Sequence, residues 1–304
     1  MEAVQAIGIT KRYVNHTALD DVTLSVPANS IYGLLGPNGA GKTTFIRIIN
    51  QIITADSGQL IIYGEKLAPR HIGIIGYLPE ERGLYKKMKV GEQLIYLAQL
   101  KGLSRQQAVV RIKHWIEKFG IKDWWNKKIE DLSKGMAQKV QFISTVVHEP
   151  KLLILDEPFS GFDPVNANLI RDEILELKAK GCTIIFSTHR METVEELCDH
   201  IAMINLSRKI IEGSKKEVKA QFKTNTFIVE HKGGFALDPT SYELLQTNTI
   251  AEDLMQSAIK MKNGQSPNQL IQDLVLVTEI HGFREKVPAM NEIFIRLVKG
   301  ESHE

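Results

Sequence analysis

The chain has 304 residues, of which 43% are hydrophobic and 24% charged, and this composition predicts a large globular domain followed by a smaller one. Its formal net charge is only +2, and no run of lysine and arginine interleaved with aromatic residues occurs, so we expect no nucleic-acid partner. No apolar stretch reaches the roughly 18 to 20 residues of a membrane span, and residues 1–5 lack the features of a secretory signal, so we expect a cytoplasmic protein.

The cysteines and most of the histidines give no sign of a metal centre. Cys182 and Cys198 stand in no C-x-x-C pair and at no zinc-ligand spacing from a histidine, so we interpret both as reduced, part-buried thiols. The histidines are scattered along the chain, and for all except His189 we expect an ordinary surface or core role. The sequence therefore predicts neither structural zinc nor a disulfide framework.

Between Ala6 and about Gly64, short apolar runs alternate with turn residues, a pattern that predicts β-strands. The predicted strands are Ala6–Thr10, Leu24–Val26, Ile31–Leu35 and Leu60–Tyr63. A helix is predicted between the last two strands, directly after the loop at residues 36–44.

This loop follows the pattern G-x-x-x-x-G-K-[ST]. It consists of Gly36, Pro37, Asn38, Gly39, Ala40, Gly41, Lys42, Thr43 and Thr44. Because small residues let successive backbone N–H groups converge on a phosphate, we interpret the loop as the cradle of a nucleoside triphosphate. Lys42 would place its charge near the β- and γ-phosphates, and the hydroxyl of Thr43 would bind magnesium. The alternative, an ordinary glycine-rich turn, is disfavoured by the motifs that follow.

Apolar residues recur at three- and four-residue spacing in Glu92–Leu100 and in Arg105–Phe119, which predicts packed helices. We interpret residues from about 85 to 145 as a helical insertion. Near its end, Ser133 stands where a helix N-cap would lie, and an ordinary cap is the alternative to a functional role there.

The apolar run Leu152–Leu155 predicts a strand that ends in two acids, Asp156 and Glu157. A buried strand would hold Asp156 rigidly, so that its carboxylate can bind magnesium directly or through water. Glu157 can polarise the attacking water and is the predicted catalytic base. Two acids at a strand end are common, so this prediction depends on the phosphate loop.

Continuous apolar runs at Thr183–Phe186 and Ile201–Ile204 predict two further strands, and the helices between the later strands favour a parallel sheet. A charged helix from Ser214 to about Phe222 is interpreted as a linker, with a domain boundary near residue 220. The tail has the pattern of a small α+β domain. Its predicted strands are Thr226–Glu230 and Glu279–Arg284, and its predicted helices are Asn268–Val277 and Ala289–Val298.

Residues Leu132–Met136 resemble the signature loop of ATP-binding-cassette (ABC) ATPases, and the resemblance covers about residues 4–215. In that family the signature serine and glycine of one subunit close over the γ-phosphate held by another subunit. The resemblance therefore implies that Ser133 and Gly135 act in trans, in a homodimer or in a pair with a related ATPase subunit. Lys134 and Met136 depart from the glycine and glutamine that are usual at their positions.

The resemblance implies roles for three further residues. Tyr13 matches the aromatic residue that stacks on adenine, although a core tyrosine is the alternative. Asp163, at the end of residues 159–163, matches the aspartate that couples the two sites of the dimer. His189 matches the switch histidine, which reaches the γ-phosphate and orders water together with Glu157.

Glu80 departs from the family, which usually has glutamine at this position, where it contacts magnesium and links the nucleotide to the helical insertion. A carboxylate would bind the cation more strongly, but it would also repel the γ-phosphate. The sequence leaves open which effect dominates. We predict that Glu80 keeps both the metal role and the coupling role.

The resemblance implies an α/β fold, with a P-loop NTPase core of the ABC ATPase type that carries an antiparallel β subdomain and the helical insertion. This core would span residues 1–220, and a small C-terminal α+β domain would span residues 221–304. ATP and Mg²⁺ are the implied cofactors. Glu80, the form of the signature loop and residues 288–295 resemble a bacterial subfamily of ABC-2-type exporter ATPases that includes sodium-efflux ATPases. We therefore expect ATP hydrolysis to energise efflux of sodium or a drug.

An ATPase without a membrane span needs separate multi-spanning permease subunits to move a solute, so we expect the protein to lie on the inner face of the cell membrane. Tyr85, Met88 and the pair Trp124 and Trp125 are candidates for the groove that would receive a permease helix, or they pack the insertion's own core. The main alternative function is a soluble ABC ATPase of the translation or DNA repair type, although the paired cassettes and the coiled-coil or zinc modules of those proteins are not seen. A non-enzymatic nucleotide sensor is disfavoured by Glu157 and His189.

Overall fold

The computed structural model describes residues 1–80, 83–159, 163–262 and 264–300. Within these ranges the chain divides into two compact units. The first unit comprises Met1–Lys215 together with Leu297–Gly300, and the second comprises Lys216–Arg296. The domain limits drawn from the sequence, 1–220 and 221–304, stay a prediction.

The helices and strands follow one another in a mixed α/β order. They are β1 (Glu2–Tyr13), β2 (His16–Pro27), β3 (Ile31–Leu35), α1 (Lys42–Ile49), β4 (Ser57–Ile62), β5 (Glu65–Lys66), β6 (Ile75–Leu78), α2 (Val90–Leu100), α3 (Arg105–Lys118), α4 (Lys134–Val146), β7 (Leu152–Asp156), α5 (Pro164–Ala179), β8 (Thr183–Thr188), α6 (Met191–Leu197), β9 (His200–Asn205), β10 (Arg208–Ser214), α7 (Lys215–Gln221), β11 (Thr226–Lys232), β12 (Tyr242–Ala251), β13 (Leu254–Met261), α8 (Pro267–Val275), β14 (Glu279–Glu285) and α9 (Met290–Lys299). Short 3₁₀ turns occur at Pro69–Ile74, Lys122–Trp124 and Ile129–Asp131. In the described ranges no helix has both the length and the apolar character that crossing a bilayer requires.

Four strands of the first unit form an antiparallel sheet in the order β2-β1-β4-β5. Val4 of β1 pairs with Val26 on one side and with Ile62 on the other. Val4 and Ala6 are buried whereas Ile7 is half exposed, as expected for a sheet with one face against a core. Strands β1 and β2 extend beyond the predicted runs because the polar residues of the exposed face carry no apolar signal.

A six-stranded sheet in the order β10-β9-β3-β8-β7-β6 forms the centre of the first unit. Its strand pairs are parallel except for β9 and β10. Every residue of β3, β7 and β8 is buried, which explains why these strands read as continuous apolar runs. The carboxyl ends of β3, β8, β7 and β6 are therefore neighbours along one edge of this sheet, where ligands bind in open α/β folds.

The core of the first unit lies between the antiparallel sheet, helix α1 and the central sheet. It is built mainly from Val, Ile and Leu side chains, with Tyr32 and Phe45 as its largest fully buried aromatic residues. Burial of this apolar area is the main force that holds the two sheets and α1 together. Helix α1 is thereby fixed at the carboxyl end of β3.

Helices α2, α3 and α4 form the predicted helical insertion. Its core contains a cluster of three aromatic rings from Trp115, Phe119 and Phe142, whose centroids lie 5.7 to 6.2 Å apart. A Cβ atom on Gly91 would lie 2.4 Å from the ring of Trp125, so this tryptophan packs directly on the backbone of α2. The core alternative is therefore favoured for Trp125.

The second unit contains an antiparallel sheet in the order β12-β13-β11-β14. Its core includes Phe227 and Val229 of the sheet and Leu270 and Leu274 of α8. The strands expected from the sequence occur as β11 and β14, and the expected helices occur as α8 and α9. Strands β12 and β13 were not predicted, since β12 is exposed along nearly its whole length and lacks an alternating apolar pattern.

Candidate functional site

A pocket of about 410 Å³ lies at the carboxyl edge of the central sheet. It is lined by His16, Ala18, Asn38, Gly39, Ala40, Gly41, Lys42, Thr43, Thr44, Glu80, Asp156, Glu157 and His189. Strands β3, β7 and β8 and the turn after β6 bring most of these residues together. The structure thus gathers residues 38–44 of the predicted phosphate loop and the predicted catalytic and metal residues in one place, whereas Gly36 and Pro37 lie outside the lining.

The phosphate loop depends on glycine at two positions where the backbone has a positive φ. A Cβ atom on Gly36 would lie 2.1 Å from the carbonyl oxygen of Ile204, and one on Gly41 would lie 2.4 Å from that of Ala18. Gly41, with φ of 114°, immediately precedes α1. Its carbonyl accepts a 2.9 Å hydrogen bond from Phe45 N, which starts the helix. The N–H groups of the first helical turn have no partner within the helix and are suited to binding an anion.

Lys42 is only 7% exposed although it carries a charge. Its Nζ donates hydrogen bonds to the carbonyl oxygens of Gly36 (2.8 Å) and Pro37 (3.0 Å). Burial lowers the pKa of Lys42, and the nearby carboxylates, Glu157 foremost, act in the opposite direction. The ammonium group is thus held at the loop, within the influence of the acidic residues of the pocket.

Asp156 is 3% exposed, and its two carboxylate oxygens differ in environment. Oδ1 accepts a hydrogen bond from the hydroxyl of Ser187, the residue that pairs with Asp156 in the sheet. Oδ2 is buried, and no described residue donates a hydrogen bond to it. An unpartnered buried carboxylate oxygen is costly unless a cation or water satisfies it, so Asp156 fits a role as a magnesium ligand.

The residues near Asp156 do not enclose a metal by themselves. Among the described residues, no group of three or more His, Cys, Asp or Glu side chains is arranged to hold an ion. Thr43 and Glu80 line the same pocket. This sparse set of oxygen donors suits Mg²⁺, which is usually bound by one or two carboxylates and takes most of its remaining ligands from phosphates and water.

Glu157 and His189 form a hydrogen-bonded pair at the ends of β7 and β8. His189 Nδ1 lies 2.8 Å from Glu157 Oε1, and Thr188 Oγ1 lies 3.4 Å from Oε2. The backbone of Glu157 is left-handed, with φ of 50°, a conformation that is uncommon for a residue other than glycine. Such strain persists where the surroundings enforce it, and it occurs often at functional sites.

Tyr13 does not line the pocket, but its neighbour His16 does. The two rings are stacked, with centroids 5.2 Å apart and planes inclined by 22°. Lys11 Nζ lies 5.7 Å from the centroid of the Tyr13 ring. The tyrosine is 42% exposed, which contradicts the alternative of a core tyrosine.

Ser133, Gly135 and Asp163, here called the signature region, lie outside the pocket lining. Ser133 Oγ accepts a 3.3 Å hydrogen bond from Met136 N and caps α4. Asp163 Oδ1 accepts a 3.0 Å hydrogen bond from Asn166 N and caps α5. Residues 160–162, which precede Asp163 in the predicted coupling segment, lie outside the described residues.

Two residues of this site, Ser187 and His16, were not predicted from the sequence. Ser187 follows the predicted strand Thr183–Phe186, and its contact with Asp156 arises from the pairing of β7 with β8. His16 was not singled out, and its place in the pocket follows from the hairpin between β1 and β2. Only tertiary structure gives these two residues a role, so no local motif could have found them.

Two protein families match the chain. The family described as ABC transporter matches residues 19–160, and the family described as ATP-binding protein DrrA1-3-like, C-terminal domain, matches residues 213–298. The first match lies within the predicted ATP-binding core, and the second covers most of the predicted C-terminal domain.

Individual relatives are also described as ATP-binding proteins. The ABC transporter ATP-binding protein YhaQ of Bacillus subtilis (strain 168) is 40% identical over 300 residues, which cover 95% of this chain and 96% of that protein. The Nod factor export ATP-binding protein I of Cupriavidus metallidurans is 35% identical over 71% of this chain and 72% of its own length. A solved structure of the ATP binding subunit of an ABC transporter has a TM-score of 0.68 and 31% identity, and the match covers 72% of this chain and 93% of that one.

The parallel sheet, the phosphate loop and the acidic strand end define a P-loop protein that binds a nucleoside triphosphate. The chain belongs to the ATP-binding proteins of ABC transporters, a family whose members generally hydrolyse ATP. The sequence predictions of this family, of the fold class and of a role as the ATP-binding subunit of a transporter are confirmed.

Proposed function

We propose that this chain hydrolyses magnesium-bound ATP in the pocket and that two chains, closing on two nucleotides, drive export through a separate membrane permease. The observation that carries the proposal is the convergence of Lys42, Asp156 and the Glu157–His189 pair in one pocket. A protein that only binds nucleotide needs the phosphate loop, whereas a base held at 2.8 Å from a histidine is suited to hydrolysis.

The phosphate loop would bind the triphosphate through the N–H groups of residues 38–44 and through the ammonium of Lys42. In-line attack on the γ-phosphate needs little covalent help from the protein and depends mainly on positioning and charge. Thr43, Asp156 and Glu80 would hold Mg²⁺, which neutralises charge on the phosphates when it is bound. A carboxylate at position 80 then joins Asp156 in balancing the cation.

Glu157 is proposed as the general base. Its Oε1 would accept a proton from the attacking water, and Thr188 steadies Oε2. His189 would fix the orientation of Glu157 through Nδ1 and sense the γ-phosphate with its exposed edge, since its side chain is 58% exposed. The histidine needs no basic role of its own.

The adenine would stack on the aromatic pair of Tyr13 and His16. His16 lines the pocket directly, and Tyr13 supports its ring from behind. Stacking on such a platform contributes about 1 to 3 kcal/mol per base.

The position of the signature region supports the proposed dimer. Ser133, Gly135 and Asp163 lie at the starts of α4 and α5 and do not reach the pocket of their own chain. N-terminal helix ends attract anions, so the start of α4 is suited to the γ-phosphate of a second chain. The partner is a second copy or a related ATPase subunit.

The permease would dock on the helical insertion. Tyr85 and Tyr96 are 52% and 42% exposed and meet edge to face at 6.0 Å, and Leu100 is 64% exposed. An apolar patch of this kind is typical of a partner surface. Docking there would hold the protein on the inner face of the membrane.

Export, rather than a soluble role in translation or repair, is supported by the relative named for Nod factor export. Sodium ions and drugs are the two cargo classes that the family resemblance offers. The cargo would be recognised by the permease, since no part of the ATP pocket selects it.

A complementation experiment tests the shared site. Lys42→Ala disables the pocket and Gly135→Asp disables the signature region, so each variant alone should be inactive. In a mixed dimer of the two, one of the two pockets meets an intact signature region, so an equal mixture should regain about a quarter of the parental ATPase rate. The control mixes the parent with the double variant Lys42→Ala/Gly135→Asp, whose mixed dimers contain no complete site, so it should also keep about a quarter, all of it from parent–parent dimers. If each chain worked alone, the mixture of single variants would stay inactive and the control would keep about half of the parental rate.

The transport half of the proposal has its own test. Membranes of the producing cells, extracted in detergent, should yield a multi-spanning protein bound to the chain and should stimulate its ATPase activity. Tyr85→Asp should abolish both effects, while Val110→Asp, at another exposed apolar residue of the insertion, should leave them intact. Association with ribosomes or DNA instead would favour the soluble alternative.

A further inference from the structure

The turn between β9 and β10 has an uncommon backbone conformation. Its two central residues, Leu206 and Ser207, have φ of 46° and 68°, and Asn205 pairs with Arg208 across them. Two-residue turns with positive φ at both positions favour Asn-Gly, because glycine adopts this conformation without a steric penalty. The side chain of Leu206 is 84% exposed, so its burial does not explain the conformation. Strain of this kind points to a function, and the hydroxyl of Ser207 is a group that glycine could not supply.

Ser207 attaches this turn to strand β2. Its hydroxyl donates to the carbonyl oxygen of Thr17 at 2.6 Å, and its own carbonyl accepts a 2.8 Å hydrogen bond from Asp20 N. Arg208 adds an ion pair with Asp20, but the arginine side chain is 72% exposed, and such a pair contributes little. Of the two bonds that Ser207 makes to β2, only the hydroxyl bond depends on its side chain.

Thr17 lies between two residues of the ATP pocket. His16 and Ala18 both line the pocket, and the ring of His16 is stacked on that of Tyr13, its partner across the β1–β2 hairpin. Because β2 is the edge strand of its sheet, this segment pairs within the sheet only with β1. The bonds from Ser207 are a second attachment. Loss of the hydroxyl bond would therefore loosen the backbone that carries the ring of His16.

We propose that Ser207 is a positioning residue for nucleotide binding: its hydroxyl fixes Thr17 and thereby the ring of His16, on which the base would stack. The inference rests on the proposed function, in which adenine stacks on Tyr13 and His16. It adds that a turn outside the pocket lining sets how well this platform is ordered before the base arrives. Ordering in advance lowers the entropic cost of binding, so loss of the bond should weaken binding of the base and leave binding of the phosphates unchanged.

Calorimetric titration of the full chain with ATP and with inorganic triphosphate tests the role in base binding. Ser207→Gly removes the hydroxyl and keeps the backbone conformation, since glycine readily adopts a positive φ. Its dissociation constant for ATP should rise about fivefold, as expected for one lost hydrogen bond, while that for triphosphate should stay within about twofold. The matched control is Leu206→Gly, which relieves the same kind of backbone strain and keeps the hydroxyl, so both constants should stay at the parental values. Equal losses for the two ligands, or no loss for ATP, would overturn the inference.

A double variant tests whether Ser207 acts through His16. His16→Ala alone should weaken ATP binding about fivefold. In a chain that already carries His16→Ala, Ser207→Gly should add less than about a twofold loss, because the ring that it positions is absent. A further loss of about fivefold would show that Ser207 acts independently of His16 and would overturn the inference.

The two single variants also separate this inference from the proposed function. A loss of ATP affinity in His16→Ala without one in Ser207→Gly would overturn the inference and leave the base platform intact. Parental ATP affinity in His16→Ala would instead reject the base platform of the proposed function, and the inference with it.

Discussion

The pocket and the signature region differ in how complete they are within one chain. In the pocket, the phosphate loop, Asp156 and the Glu157–His189 pair already face a common space. In the signature region, Ser133 and Asp163 cap their own helices and contact nothing in that space. One region is assembled by folding, and under the proposed function the other is completed by association with a second chain.

Topology explains the difference. Parallel strands end at the same edge of a sheet, so strand pairing alone brings together the residues that follow β3, β7 and β8. The starts of α4 and α5 instead depend on where the helices pack. Under the proposed function the first region holds the catalytic groups and the second closes over the phosphate, so hydrolysis would require a partner.

The largest effect should come from Glu157→Gln, which removes the base but keeps the shape of the pocket. Phosphate release should fall by about 10²- to 10⁴-fold while ATP still binds. The matched control is Glu192→Gln, at an exposed carboxylate of α6. If Glu157→Gln hydrolysed ATP at the parental rate, the pocket would not be the region that performs the chemistry.

A second effect concerns stability on the side of the insertion. His148 follows α4, is buried, and donates from Nε2 to the carbonyl of Ile75 at 3.2 Å. Burial, with a contribution from Lys101, lowers its pKa from 6.5 to about 4. Between these two values the unfolded chain binds a proton that the folded chain does not. The free energy of unfolding should therefore fall by about 3 kcal/mol as the pH decreases from 6.5 to 4.

Urea unfolding at a series of pH values measures this effect. His148→Gln removes the titrating group, so its stability should depend less on pH over that interval. His114→Gln, at an exposed histidine of α3, should retain the parental profile. Identical profiles for His148→Gln and the parent would assign the pH dependence to other groups.

Ser187→Ala tests whether the hydroxyl that donates to Asp156 helps to orient this carboxylate. Without the hydroxyl, Asp156 Oδ1 loses its partner and the carboxylate can rotate away from the cation. The Mg²⁺ concentration for half-maximal hydrolysis should rise by about 10- to 100-fold, the usual range for residues that orient a metal ligand. Ser144→Ala removes a hydroxyl that donates to the carbonyl of Gln141 in its own helix, and this variant should leave the Mg²⁺ requirement unchanged. An unchanged Mg²⁺ requirement in Ser187→Ala would show that Asp156 is positioned by its backbone alone.

The smallest effect should appear at the rim of the pocket. His16→Ala should weaken ATP binding by about fivefold, which corresponds to about 1 kcal/mol of stacking. Tyr13→Ala should have a similar effect, because His16 depends on the tyrosine ring for its orientation. Calorimetric titration with ATP, and with inorganic triphosphate as a ligand that lacks a base, would separate stacking from phosphate binding. Equal losses for both ligands would contradict a base platform.

The sequence predicts the role of a residue when that role depends only on residues close to it in the chain. The phosphate loop and the Asp156–Glu157 pair were predictable because each is a short continuous segment. The first is a turn that leads into a helix, and the second is the end of a strand. Ser187 and His16 were not predictable, since their roles arise from the pairing of distant strands. In the second unit, β12 escaped prediction because an exposed edge strand carries no apolar pattern.

The left-handed backbone conformation of Glu157 lowers the stability of the fold at a residue that is proposed to be needed for activity. Holding a glutamate at φ of 50° costs about 1 to 2 kcal/mol, whereas glycine adopts this conformation readily. Glu157→Gly should therefore melt at a higher temperature than the parent and be catalytically dead. Variants selected only for stability would tend to lose this carboxylate, so under the proposed function its retention is a stability cost that catalysis requires.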